Sequence, residues 1–145
     1  MKKLALTDFA KYRYPSALEL SPDGRYLTFA LKDVDREGDG YRWNLWLYDL
    51  ERRESRQITQ GDDQRKAVWE DNTHILYKTT EPDEALRARG FEEEWTVYHR
   101  LNVCTGEDRE AFRLPMSVSG LWKMDEGRYV FTGETHLDRP NLLEL

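Results

Sequence analysis

The chain has 145 residues, 39% of them hydrophobic and 34% charged, a balance of soluble globular domains and not of disordered segments. Its formal net charge of −6 argues against nucleic acid or an anionic membrane as the main partner, because phosphate binding needs a basic surface. The single cysteine, Cys104, excludes an internal disulfide, no stretch reaches the about 20 apolar residues of a membrane span, and the opening lysines lack the apolar run of a signal peptide, so a cytoplasmic protein is expected.

In chain order, residues 1–14 read as a leader with one short helix over Thr7–Tyr12, capped by the Thr7 hydroxyl and ended by Pro15. The period then changes to two. Ser16–Leu20 is a short strand, and Ser21-Pro22-Asp23-Gly24 is a turn: Pro22 presets φ, Asp23 can bond its own backbone, and Gly24 accepts a positive φ. Tyr26–Leu31 has the composition of a half-buried strand, Lys32–Tyr41 reads as a polar loop, and Trp43–Tyr48 is a third strand. After a turn at Asp49–Glu54, Ser55–Thr59 forms a fourth.

The pattern then starts again. Ala67-Val68-Trp69, a turn at Asp71-Asn72 and the strand His74–Thr79 lead into a polar insertion, Glu81–Glu94, in which Ala85–Arg89 can make a helical turn or two. Trp95–Leu101, the turn Cys104–Glu107 and Arg109–Leu114 complete the second round. A third opens with Val118–Trp122, turns at Asp125-Glu126-Gly127 and continues in Tyr129–Thr132. Gly24-Arg25-Tyr26-Leu27, Asn72-Thr73-His74-Ile75 and Gly127-Arg128-Tyr129-Val130 line up at spacings of 48 and 55 residues. Four strands per unit at this spacing is the signature of a propeller blade. The expected fold is therefore an all-β propeller fragment of about two and a half four-stranded blades with a short N-terminal helix. The blades span 15–62, 63–115 and, in part, 116–145. The five tryptophans, Trp43, Trp46, Trp69, Trp95 and Trp122, are expected to bury their indoles between blades.

The segment Pro15–Tyr26, with its Ser-Pro-Asp-Gly turn behind the leader Leu6–Phe9, resembles the first blade of prolyl oligopeptidase family peptidases, in the acylaminoacyl-peptidase and dipeptidyl-peptidase-like branch. Trp95–Leu101, Thr105-Gly106-Glu107 and Leu114–Gly120 are similar to the second and third blades of bacterial members. The resemblance implies a non-catalytic N-terminal filter that gates short peptides toward a C-terminal α/β-hydrolase domain, the expected partner, and it implies that the chain is part of a longer protein. It also implies a role for Glu92 and Glu93 in Phe91-Glu92-Glu93-Glu94-Trp95: dipeptidyl peptidases hold a substrate's free amine between two propeller glutamates, where an ammonium gains charge-assisted hydrogen bonds. The plainer reading is a solvated charged insertion.

No catalytic residue is expected within these 145 positions. Ser16, Ser21, Ser55, Ser117 and Ser119 all lack glycines two residues away on both sides, so the nucleophile elbow Gly-x-Ser-x-Gly is missing. His74, His99 and His136 lack metal-ligand spacing, and Gly38 and Gly40 sit among carboxylates that would repel phosphate. No metal and no cofactor are expected. Two other readings stand beside the filter: a TolB-like or WD-repeat-like scaffold that docks proteins, and a complete small β-protein. Unpaired strand edges also lead to an expectation of self-association.

Overall fold

The structure, a computed structural model, describes residues 12–35 and 37–135. The helix expected at Thr7–Tyr12 and the side chain of His136 lie outside these residues, Tyr12 excepted. The described backbone forms three antiparallel sheets. The first contains β1 (Tyr14–Leu20), β2 (Tyr26–Asp35), β3 (Gly40–Asp49) and β4 (Glu54–Gln57), in that order. The second orders β5 (Val68–Trp69), β6 (His74–Pro82), β7 (Glu94–Asn102) and β8 (Asp108–Leu114), with the helical turn α1 (Glu84–Arg87) between β6 and β7. The third pairs β9 (Ser117–Lys123) with β10 (Tyr129–Glu134). The chain divides into two compact units, one through Ala67 and one from Val68.

In the first unit the Ser21–Gly24 turn closes through its own side chains. The Ser21 hydroxyl donates to Asp23 Oδ1 at 2.7 Å and accepts from the Tyr26 amide at 2.9 Å, while Ser21 N donates to Tyr26 O at 2.8 Å. The Ser21 hydroxyl, and after it the Arg25 amide, hold the Asp23 carboxyl below its ordinary range. Gly24 takes φ 74°, where a Cβ would be strained. β1 is bulged between Ser16 and Glu19, with Ala17 at φ 51°. One face of the sheet carries Thr28, Ala30, Leu45 and Leu47, all nearly inaccessible.

The stretch Lys32–Tyr41 departs from expectation. β2 and β3 continue through it, pairing Lys32 with Trp43, Asp33 with Arg42 and Val34 with Tyr41, so only residues 36–39 connect them. The Lys32 ammonium sits 3.8 Å from the Tyr41 ring centroid. With Val34 the one apolar residue of Lys32–Asp35, no apolar alternation reveals the strand. The connector after β4 also bonds to β3. Ile58 N donates to Leu45 O, Leu45 N to Thr59 Oγ1, Trp43 N to Asp62 O and Gln64 N to Trp43 O, all within 2.9 Å.

In the second unit the third sheet packs on the second. Leu76, Tyr98, Met116, Val118 and Leu121 form the buried cluster, joined by Val68, Ala111, Phe112, Leu114 and Tyr129. The Phe112 ring lies 5.1 Å from Tyr98 and 5.8 Å from Tyr129, centroid to centroid. Polar bonds cross the same seam: Thr96 Oγ1 donates to Met116 O at 2.7 Å and accepts from Val118 N at 3.0 Å, and Lys78 Nζ donates to Val118 O at 2.5 Å.

Two sequence expectations need correcting here. The closing bonds of the three turns run from Ser21 N to Tyr26 O, Glu70 N to His74 O and Met124 N to Arg128 O. The second and third turns are thus one residue tighter than the first, and Tyr129 occupies the position of Ile75 and Leu27. The match of Tyr129 with Tyr26 is off by one, which in a strand reverses the face of every side chain. Trp122 is the second correction. It is 49% exposed, its ring lying over Gly120, where a Cβ would collide with it.

Candidate functional site

Among the described residues of the second unit, two clefts lie at opposite ends of its strands. The first gathers the residues singled out from the sequence. The β6–β7 connection is built around Asp83, which is buried, accepts at Oδ1 from the Leu86 amide at 3.1 Å as N-cap of α1, and donates its own amide to Glu93 O at 2.8 Å. Leu86 is buried beneath the turn and Phe91 N returns to Leu86 O at 3.0 Å. These bonds present Glu92 and Glu93 at the start of β7. There they line a cleft of about 360 Å³ together with Glu94, Ser117, Glu134 and Thr135. Glu92, Glu94 and Glu134 are exposed and Glu93 is half-buried. Arg89 lies over the Phe91 ring at 5.7 Å, so that ring already carries a cation. Four carboxylates with a seryl hydroxyl suit an ammonium or a guanidinium. Glu134 was not foreseen. It lies in another strand about 40 residues away, and only the pairing of β10 with β9 brings it to the rim.

The second cleft, about 410 Å³, is lined by Glu70, Asp71, His74, Arg100, Arg109, Lys123, Gly127 and Tyr129. Glu70 is its centre. Arg100 grips both carboxylate oxygens, Nε to Oε1 at 2.5 Å and Nη2 to Oε2 at 3.0 Å, and the Tyr129 hydroxyl donates to Oε2. Lys123 Nζ donates to the Glu70 carbonyl. Burial alone would raise the Glu70 carboxyl, but the bonds from Arg100 and Tyr129 outweigh it and hold the group below its ordinary value. Burial first, and then the bond to Glu70, push the Tyr129 phenol up to about 12. With both oxygens engaged, Glu70 serves as a joint between the second and third sheets. Nothing in the sequence marked it, since a glutamate before a turn is ordinary.

A third cluster involves His99, whose Nε2 lies 2.9 Å from Thr79 Oγ1 while its ring stacks on Tyr77 at 5.1 Å. The carboxylate of Asp108 is 3.7 Å from His99 Nδ1, beyond hydrogen-bond reach, and instead accepts from the Tyr77 hydroxyl. Burial, followed by that bond, raises the Tyr77 phenol above its ordinary value. The arrangement fixes an imidazole against the sheet and leaves Thr79 without an activated base. His74 is held by Asp71, whose carboxylate lies 3.0 Å from Nδ1. Among the described residues no group of three or more His, Cys, Asp and Glu is arranged to hold a metal ion, and no helix is long and apolar enough to cross a membrane. Cys104 is exposed in the β7–β8 turn.

No family model matches the chain, and no curated protein matches it. Solved structures do. The β-propeller domain of the Trilobed protease from Pyrococcus furiosus, described as having an open velcro topology, superposes with a TM-score of 0.60 at 14% identity, over 85% of this chain and 34% of that one. The acylaminoacyl peptidase of Pyrococcus horikoshii aligns at a TM-score of 0.44 and 15% identity, over 79% of this chain and 27% of that one. The chain thus spans about a third of the length of the first structure it matches. The sheets, their strand order and this likeness together make the chain a partial β-propeller.

Proposed function

We propose that this chain is the non-catalytic N-terminal propeller portion of a serine peptidase of the prolyl oligopeptidase family. Its blades, at 15–62, 63–115 and 116 onward, help admit short peptides to a separate hydrolase domain and exclude folded proteins. The observation that carries this reading is the likeness to the propeller domain of a protease, joined to the Ser21-Pro22-Asp23-Gly24 turn and its ordered followers. Exclusion is steric and needs no reactive side chain in this stretch. Glu92 and Glu93 hold a peptide's free amine, with Glu94 and Glu134 adding negative potential across the same cleft. The single cysteine suits a reducing cytoplasm.

The test is the reading frame after the Leu145 codon. A Gly-x-Ser-x-Gly elbow in frame, with a product that cleaves short peptides and spares folded proteins, is the expected result. A stop codon, or further sheets with no elbow, would overturn the peptidase reading in favour of a scaffold. Glu92→Gln with Glu93→Gln in that product should raise KM for peptides with a free N-terminus and leave N-blocked peptides unchanged. An equal effect on both would remove the amine role.

A further inference from the structure

The cleft around Glu70 holds positive charge that its own carboxylates do not answer. Arg100 and Arg109 are direct partners across β7 and β8, so their side chains leave the sheet on the same face. Both line the cleft, together with Lys123 from the third sheet. Like charges set directly opposite one another across strands are destabilising, and an anion held between them removes that penalty.

No carboxylate nearby does so. Both oxygens of Glu70 are taken by Arg100 and Tyr129. Asp71 Oδ1 accepts from the Thr73 and His74 amides at 2.9 and 2.7 Å, and the same oxygen lies 3.0 Å from His74 Nδ1. Beside Arg109 in β8, Glu110 is gripped by Arg113 through both oxygens at 2.7 Å, and Asp108 accepts from the Tyr77 hydroxyl. Among the described residues the Arg109 guanidinium has no ion-pair partner. Arg100 reaches Glu70 through Nε and Nη2 and keeps Nη1. Lys123 gives one bond to the Glu70 carbonyl and keeps its other donors.

We propose that this cleft binds the phosphate group of a small molecule, held between Arg109 and Arg100 with Lys123 at its rim. Two guanidinium groups and an ammonium call for at least three acceptor oxygens, which a phosphate has and a carboxylate lacks. Its charge of about −1.5 to −2 at pH 7 answers the like-charged arginine pair. Inorganic phosphate and a phosphate monoester share this chemistry. The inference stands on the cleft's own donors and not on the peptidase reading, so a frame without an elbow leaves it untouched.

The experiment titrates the 145-residue chain with inorganic phosphate at pH 7 and constant ionic strength, read by calorimetry. A Kd of about 1 mM is expected. Arg109→Gln and Lys123→Gln, both at exposed positions, should each weaken binding by about tenfold or more, with far-UV circular dichroism confirming that the strand signal is kept. Arg113→Gln, whose arginine Glu110 and Glu81 already neutralise, should bind phosphate as the unmodified chain does. Acetate should bind about tenfold more weakly than phosphate, because it lacks the third oxygen. Phenyl phosphate separates the two sources: a tighter Kd than that of inorganic phosphate assigns the cleft to a monoester, an equal or weaker one to the free ion. No binding of phosphate up to about 20 mM, a folded Arg109→Gln that binds like the unmodified chain, or acetate bound as tightly as phosphate would each overturn the proposal.

Discussion

In the first unit the outer edge of β3 is held in two stages: by β4 opposite Trp46–Asp49, then by connector residues 58–64 opposite Trp43–Leu45. In the second unit β8 alone runs along β7 from Leu101 to Thr96. The two outer strands differ in kind. β4 is Glu54-Ser55-Arg56-Gln57, exposed throughout, while β8 contributes Ala111, Phe112 and Leu114 to a packed seam. Where another sheet lies on the face, the outer strand must bring apolar side chains to it. Where backbone closure is the main task, a connector that satisfies buried amides suffices. One strand order is thus stabilised by dispersion and burial in one case and by polar satisfaction in the other.

Substitutions can separate these two modes. The largest effect is expected from Leu76→Ala, which opens a cavity at the centre of the seam and should cost about 3 kcal/mol in urea unfolding. A loss below about 1 kcal/mol would mean that the second and third sheets are not tightly packed. Glu70→Ala should cost about 2 kcal/mol, since it strands the Arg100 guanidinium and the Tyr129 hydroxyl.

The Glu70 joint also sets a pH dependence. Its carboxyl is depressed in the folded state, so its contribution is complete above the ordinary value of 4.5 and is lost as pH falls through the lower folded-state value. Tyr98, by burial, and Tyr129 are pushed up to about 12, so their contributions hold below the ordinary value of 10.0 and fade as pH rises from there toward 12. Thermal melts across pH should therefore show losses at both ends, and Glu70→Gln should flatten the acid limb.

In the first unit, Thr59→Val removes the acceptor of the buried Leu45 amide and should cost about 1–2 kcal/mol. A neutral outcome would mean that the connector does not close the edge. Gly24→Ala, at φ 74°, should cost about 1 kcal/mol. Arg113→Ala, an exposed residue paired with Glu110 and Glu81, should leave the melting temperature unchanged.

The sequence disclosed most where a local rule carried the structure. Ser21-Pro22-Asp23-Gly24 closes by its own side chains, and the alternation in Tyr26–Leu31 and Trp95–Leu101 lies on strands. The helical turn expected within Ala85–Arg89 appears at Glu84–Arg87. Three features were hidden because their causes are not local. The hairpin around Lys32–Tyr41 is rich in charged residues and glycine and reads as loop, although its strands pair. The third turn is tighter than the first by one residue, which puts Tyr129, and not Val130, at the position of Leu27. Glu70 and Glu134 gain their surroundings from strands 30 to 60 positions away, beyond what spacing along the chain can show.

The ring of Phe112 lies between Tyr98, across its own sheet, and Tyr129 of the next sheet. Nuclear Overhauser contacts from that ring in the 145-residue chain are therefore the most direct test of the stacked-sheet fold. Contacts to both tyrosines are expected. Contact with Tyr98 alone, with Tyr129 in an environment independent of Phe112, would contradict the packing of one blade upon another.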